Sequence, residues 1–454
     1  MSSTARVERS SIRKVVAASL VGTTIEWYDF FVFGSAAALV FNTLFFPKFD
    51  PLVGTILAFA TYAVGFVARP LGGIVFGHFG DRVGRKGMLV LSLLIMGVAT
   101  FAIGLLPTYA SIGVWAPILL VICRLLQGFA VGGEWGGAVL MVAEHGDPAR
   151  RGFWASWPQA GVPAGNLLAV GVLAIMAATT SDAAFASWGW RVPFLLSAAL
   201  VAIGLYVRVS LSESPVFQRA QAEMERAQER RRAPMLEVVQ RYRRAVLVAM
   251  GARVVENVSY YIFTVFVLTY VTTELGMRRA TALNAVLIAS AVHFAAIPLW
   301  GALSDRVGRR PIYLLGAGGV LVWAFLFFAL VDTRSFTAIT AAITGGLIFH
   351  AAMYGPQAAF FSELFGTGVR YSGASIGYQL ASVFAGSLAP IIAVALLAEF
   401  NSALPISIYV AAMAVITIAA LIASRETVRA DLADEPGFPP AAAVPTRATV
   451  DETA

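Results

Sequence analysis

Apolar runs of about 20 residues recur along the whole chain, each long enough to cross the hydrocarbon core of a bilayer as a helix. Twelve are read near residues 15–46, 52–77, 87–106, 113–140, 153–178, 189–209, 245–273, 280–303, 311–332, 336–361, 371–398 and 403–424. Lipid is therefore the solvent against which the fold must be argued. Of 454 residues, 58% are hydrophobic and 13% charged, and the mean hydropathy is +0.76. That is more apolar side chain than one soluble core can bury. The many glycines within the runs suit closely packed helices. The weak alternating segments of about ten residues that mark a membrane β-barrel are absent. The expected fold is all-α and integral to the membrane, with twelve transmembrane helices.

The net charge of +7 does not point to nucleic acid, because the basic residues fall in short clusters between apolar runs. Arg6, Arg9, Arg13 and Lys14 precede the first run, and Arg82, Arg85 and Lys86, then Arg150 and Arg151, then Arg306, Arg309 and Arg310, then Arg370 occupy alternate loops. Arg278 and Arg279 are the main exception. The positive-inside rule then puts both termini in the cytoplasm, with the chain in the cytoplasmic membrane. Trp188 and Trp190 suit the opposite interface. The one cysteine, Cys123, excludes an intramolecular disulfide. The first run is too long and too acidic for a cleaved signal peptide, so no processed segment is expected. The expected organisation is a tail at 1–14, a six-helix bundle at 15–209, a charged cytoplasmic linker at 210–244, a second six-helix bundle at 245–424 and a disordered tail at 425–454.

The two bundles are related. "GHFGDRVGRKG" begins at Gly77 and "GALSDRVGRRP" at Gly301, 224 residues apart, each between the second and third runs of its half. Glu144 followed by "RRG" at 150–152 pairs with Glu363 followed by "RYSG" at 370–373, 219 apart. Repeats of like orientation imply a pseudo-twofold axis along the membrane normal and a central site between the halves.

"GDRVGRK" at 80–86 and "SDRVGRR" at 304–310 resemble the signature loop of the major facilitator superfamily. "EWYDFFVFG", "ARPLGGIVFGHFGDRVGRK", "RLLQGFAVGGEWGGA" and "ELFGTGVRYSGAS" more narrowly resemble its metabolite:proton symporters, permeases for α-ketoglutarate, citrate, shikimate and proline/betaine. The likeness runs from about residue 15 to 424. It implies two pseudo-symmetric six-helix bundles, alternating access and a monomer. In the loop, Gly80 and Gly84 permit a tight turn, and Asp81 can meet a positive helix terminus while Arg85 holds it. The resemblance implies that Asp81 and Arg85, with Asp305 and Arg309 as their repeat, form a cytoplasmic gate. The plainer alternative is that these charges only set topology.

Glu26 and Asp29 interrupt the first run. Three residues apart on a helix, they share adjoining parts of one face. A carboxylate costs on the order of 2.5–3.5 kcal/mol at the centre of a membrane helix, so both should face the bundle interior. There they could carry a proton, or they could be fixed hydrogen-bond partners. Arg124, one turn before Gln127, resembles the arginine of the superfamily's "RxxQG" motif, which implies proton coupling with Glu26 or Asp29. Arg253 lies three residues before Glu256 and could either pair with it or bind a substrate carboxylate. Arg69 reads as a structural partner. Tyr28, Gln127, Trp135, Gln159, Asn166, Asn257, Tyr260, Tyr261, Gln357 and Gln379 are polar within the runs; some should line the pathway and the rest should bond helix to helix. Glu134 is ambiguous in the same way. His293 and His350 could relay protons, although lone membrane histidines are more often structural.

No phosphate-cradling loop, metal-ligand spacing or catalytic constellation stands out, so neither enzyme activity nor a cofactor or metal is expected. The leading expectation is a secondary transporter that moves a small organic acid together with a proton. A carrier of a zwitterion such as proline or betaine, an efflux antiporter and a non-transporting membrane sensor are the alternatives.

Overall fold

In lipid every backbone N–H and C=O needs a partner within its own segment, which leaves helices as the economical solution for long apolar runs. The computed structural model describes residues 3–83, 85–131, 142–143, 147–212, 242–365 and 370–430, with the backbone alone at 3–11, 14, 74, 77–83, 85–89, 207–212 and 371–372. Among the described residues no strand forms. The first six spans are α1 (Ser3–Ala36), α2 (Pro51–Val83), α3 (Arg85–Leu105), α4 (Trp115–Val131), α5 (Arg151–Thr179) and α6 (Val192–Ser212). The second six are α7 (Arg243–Tyr261), α8 (Arg279–Val307), α9 (Arg309–Val331), α10 (Phe336–Leu364), α11 (Arg370–Ala381, resuming at Ala389–Phe400) and α12 (Leu404–Ala423). Each expected run thus coincides with a helix as far as it is described; residues 132–140 of the fourth run lie outside the described residues. α1 reaches further than expected, taking in the polar residues from Ser3 onward.

Among the described residues three spans contain π turns. α1 passes through one at Ala37–Phe41 and continues to Phe45; α7 passes through one at Ile262–Phe266 and a second at Tyr270–Glu274. The first two of these lie 225 residues apart, in register with the sequence repeat. The third span, α11, has its turn at Ser382–Gly386. Trp190 is a correction to the sequence reading: it is fully buried against Phe41, Phe45 and Phe194, while Trp188 is half exposed. A ring that can fill the space beside a π turn does more there than at an interface.

The halves meet along α5, which packs on α8 and α10, and along α2, which packs on α11. At the end that carries the second signature loop they touch backbone to backbone. A Cβ on Gly152 would lie 2.6 Å from the Gly301 carbonyl oxygen and would collide with Arg309 Nη1, and a Cβ on Gly301 would lie 2.7 Å from the Gly152 carbonyl oxygen. At the opposite end the hydroxyl of Thr269, in the α-helical turn between the two π turns of α7, donates to the Ala38 carbonyl in the π turn of α1 at 3.0 Å, and Arg279 pairs with Asp182 at 2.6 Å. The halves are in contact at both ends.

Gly152→Val should prop the first of these contacts open. In a Cys123→Ser, Ser156→Cys background, a membrane-impermeant thiol reagent should label residue 156 several-fold faster with valine at 152 than with glycine. Equal rates would mean that the close approach does not govern access.

Candidate functional site

Five successive inward positions of α7 supply Arg253, Glu256, Asn257, Tyr260 and Tyr261, all buried, because a three- and four-residue spacing keeps them on one side of the helix. Arg253 Nη1 donates to Glu256 Oε2 at 2.9 Å and to Gln357 Oε1 at 2.7 Å, and its Nε donates to Ser382 Oγ at 3.2 Å. Its guanidinium lies 3.2 Å from the centre of the Tyr378 ring. Gln357 Nε2 in turn donates to the Tyr313 hydroxyl at 2.8 Å, which donates to the Ala252 carbonyl at 3.0 Å. Glu256 also accepts from Asn257 Nδ2 at 3.3 Å, and its other oxygen meets His350 Nε2 at 3.1 Å. His350 Nδ1 stands 2.8 Å from His293 Nε2. The internal pairing weighed for Arg253 is therefore formed.

This network opens on a narrow cavity between the halves, lined by Trp27 and Val162 from the first half and by Arg253, Glu256, Asn257, Tyr260, Tyr261, His350 and Tyr354 from the second. Its walls are mainly aromatic. Arg253 is the one cation among these lining residues.

The first half holds a second charged cluster. The Arg69 guanidinium lies over Phe30 and Phe66 at 4.4 and 4.9 Å, and that of Arg124 over Phe30, Phe33 and Tyr62 at 4.2, 4.5 and 4.8 Å. Ring faces of this kind attract cations. Arg124 also donates to the Tyr62 carbonyl at 3.4 Å and to Gln127 Oε1 at 3.2 Å. The expected ion pair between Arg124 and Glu26 or Asp29 is not formed. Asp29 is 2% exposed, and among the described residues neither of its oxygens has a hydrogen-bond partner. The Thr100 hydroxyl beside it gives its proton to the Met96 carbonyl and accepts from Gln127 Nε2, so it has none left for Asp29. Glu26 is buried and is not free.

The remaining expected residues divide. Asn257 and Tyr260 line the cavity. Tyr28 does not: its hydroxyl donates to the Pro193 carbonyl at 2.6 Å, tying α1 to α6, and Trp27 takes the lining position instead. Asn166 bridges the halves, donating to Ser290 Oγ at 3.0 Å, and Gln159 does so with the Tyr354 carbonyl at 3.5 Å. Gln127 and Gln357 hold Arg124 and Arg253 in place, and Gln379 is half-buried and partnered on α11. Trp135 and Glu134 lie outside the described residues, as do the side chains of Asp81 and Arg85. Glu256, His293, His350, Tyr313 and Ser382 belong to the site but were not singled out as binding residues. The Arg253-to-Glu256 spacing was the available signal for one of them.

The repeat of the signature loop is fully described. Asp305 accepts from the backbone N–H of Gly152 at 2.8 Å and of Phe153 at 2.9 Å, so a carboxylate of the second half caps the N-terminus of α5 in the first. Arg309 holds Asp305 at 2.7 Å and reaches Glu363 at 3.3 Å, and Arg151 meets the same Glu363 oxygen at 3.0 Å. Gly308 turns the chain with φ +115°, a conformation that suits glycine alone. Residues 425–430, from the stretch expected to be a disordered tail, lie against this cluster: Glu426 accepts from the N–H groups of Arg309 and Arg310, and Thr427 donates to Glu363 at 2.7 Å. The rest of that stretch is outside the described residues.

Two related helical halves around a central cavity define a transporter of the major facilitator superfamily, a multi-pass membrane protein. The chain belongs to the Sugar (and other) transporter family, which it matches over residues 14–232 and again over 218–434. It is 43% identical over 392 residues to the "Shikimate transporter" of Escherichia coli K12, covering 86% of this chain and 89% of that one. To the "Inner membrane metabolite transport protein YhjE" of the same organism it is 41% identical over 423 residues, covering 92% and 95%. The "Proline/betaine transporter" of that organism is 35% identical over 429 residues, covering 93% and 85%. The fold matches the proton:xylose symporter XylE bound to 6-bromo-6-deoxy-D-glucose with a TM-score of 0.72 at 18% identity, over 91% of this chain and 95% of that one.

Glu363→Ala would leave Arg151 and Arg309 buried without their shared counter-ion, a loss on the order of 3–5 kcal/mol. Asp182→Ala removes only an exposed partner, a loss under about 1 kcal/mol. Thermal unfolding of the detergent-solubilised proteins should rank them so, with Glu363→Ala melting well below wild type and Asp182→Ala close to it.

Proposed function

We propose that this protein is a proton-coupled symporter of a small organic acid, with a single carboxylate recognised at Arg253 and the coupled proton carried by Asp29. The observation that carries the reading is Asp29 itself. A fully buried carboxyl with neither oxygen bonded is costly as an anion and tolerable as a neutral acid, and it stands within electrostatic reach of Arg124. Loss of its proton would draw Arg124 away from its aromatic cage and Gln127, linking the protonation state to the packing of α1, α2 and α4. One lining cation in a small, aromatic-walled cavity favours a compact monoanion over a tricarboxylate. The likeness to a shikimate transporter agrees with this class.

The Asp305 cap on α5, with Arg309, Glu363 and Arg151, acts in this reading as the cytoplasmic gate, and Asp81 and Arg85 are its counterparts in the first half. Both termini then face the cytoplasm and the protein works as a monomer, with the halves rocking about the central cavity.

A second reading has support of its own. Trp27, Tyr260, Tyr261 and Tyr354 around the cavity could face a quaternary ammonium while Arg253 takes a carboxylate, which would suit a betaine.

Proteoliposomes with an imposed inward proton gradient separate these readings. A labelled panel of mono-, di- and tricarboxylates, shikimate, proline and betaine should show accumulation of one monocarboxylate that collapses with a protonophore. Asp29→Asn should lower accumulation at least several-fold while keeping gradient-free exchange. Uptake of betaine with no acid transported would replace the first reading by the second, and gradient-driven outward movement would make the protein an exporter.

A further inference from the structure

With Glu256 ionised and both imidazoles neutral, the hydrogen bonds of the second half admit one proton arrangement. Glu256 Oε1 can only accept, so His350 Nε2 carries the hydrogen that reaches it at 3.1 Å. His350 Nδ1 is then the acceptor, and His293 Nε2 donates to it at 2.8 Å. His293 Nδ1 is left as a bare lone pair, buried and without a partner among the described residues. The result is a directed chain with an open acceptor at one end and a carboxylate at the other. Its open end belongs to α8 and lies one turn from Ser290, where Asn166 of the first half bonds across the interface. That interface is the surface that rocking would part.

From this geometry we infer that His293, His350 and Glu256 form a second proton site, which releases Arg253 to receive the substrate carboxylate. A proton arriving at His293 Nδ1 lets the Nε2 hydrogen pass to His350 Nδ1, and the His350 Nε2 hydrogen pass to Glu256 Oε1. Each imidazole ends neutral in its other tautomer, and Glu256 ends as the neutral acid. Arg253, compensated until then by Glu256 at 2.9 Å, is left as an unpaired cation at the cavity wall. A monoanion restores neutrality. Proton and acid therefore bind with mutual preference, because either one alone leaves a net charge in a buried site.

The surroundings leave this exchange to the named groups. The other titratable side chains facing the pair are phenols: Tyr313 from α9, Tyr354 from α10, Tyr378 from α11 and Tyr261 on α7 itself. Tyr260 packs at a tilt against both imidazoles, its ring centre 4.9 Å from that of His350 and 5.7 Å from that of His293. Of the first half, α1 and α5 bring Trp27 and Val162 to the cavity, and Arg69 of α2 reaches the cluster only through Tyr261 and Tyr378. Asp29 serves the first half, and the new site adds a proton beyond it.

The inference rests on the organic-acid reading, and the test keeps the two apart. Full-length protein in detergent is titrated with labelled shikimate and, separately, benzoate, while a pH-indicator dye in weak buffer records proton uptake. Asp29→Asn protein silences the first half. It should still take up a proton with each bound acid and bind more tightly as pH falls, by up to about tenfold per unit. Adding Glu256→Gln should abolish that uptake and flatten the pH dependence. His350→Gln, which keeps a donor to Glu256 but cannot relay, should leave the equilibrium uptake in place and slow it at least tenfold in stopped flow. Acid bound by Asp29→Asn protein without any proton uptake overturns the second site and leaves the symporter reading standing; an unchanged rate in His350→Gln overturns the relay. Wild-type protein that binds neither acid at any pH overturns the organic-acid reading and this inference together.

Discussion

A helical bundle in lipid has no water to which a stray polar group can turn, and this constraint shapes every charged position in the protein. Most of its buried ions answer by pairing. Arg253 has Glu256, Gln357, Ser382 and the Tyr378 ring; Glu363 has Arg151, Arg309 and Thr427. Asp29 and the Nδ1 atom of His293 do not pair among the described residues. Other buried atoms also lack a partner among those residues, nitrogens of Arg69 and Arg124 and the hydroxyls of Tyr62 and Tyr260 among them, but Asp29 and His293 Nδ1, one in each half, are the ones whose ordinary chemistry takes up a proton. The chemistry of the transporter is thus read from what the packing leaves unsatisfied.

The same constraint explains how the two ends of the molecule differ. Near the signature loop, closure relies on ions and helix dipoles and on glycines that let backbones touch. At the opposite end, among the described residues, the polar contacts are one buried hydroxyl-to-carbonyl bond beside the π turns and an exposed ion pair. The first is a dense, mutually supporting cluster. The second is slight, and it sits where an irregular helix can change its hydrogen-bond register at little cost. An arrangement with one strong and one weak closure favours movement that begins at the weak one.

The helices were legible in the sequence because the requirement that produces them is local: an apolar run in lipid must bond its own backbone. Partner choice was not, since it depends on how helices cross. Arg253 and Glu256 could be paired by spacing, being one turn apart. His293 and His350 are 57 residues apart on different helices, and nothing in either apolar run marks them as neighbours. The Arg124 expectation failed for a related reason: Phe30, Phe33 and Tyr62 offer the guanidinium three ring faces, and an aromatic cage leaves no signature distinct from an ordinary apolar helix face. Tyr28 and Trp27 are adjacent, and which one faced the cavity turned on the rotation of α1.

Asp305 recognises the other half of the protein through two main-chain N–H groups and through no side chain of α5. Every residue type but proline supplies that donor. Phe153 could therefore drift to almost any other residue without loss of this contact, and Gly152 is constrained by bulk alone. A search for compensating residue pairs between the halves would pass over the bond, because one of its two partners has no identity to vary. The contact that joins the halves most directly is thus one that substitution in α5 breaks through bulk at Gly152 and not through loss of a side-chain partner.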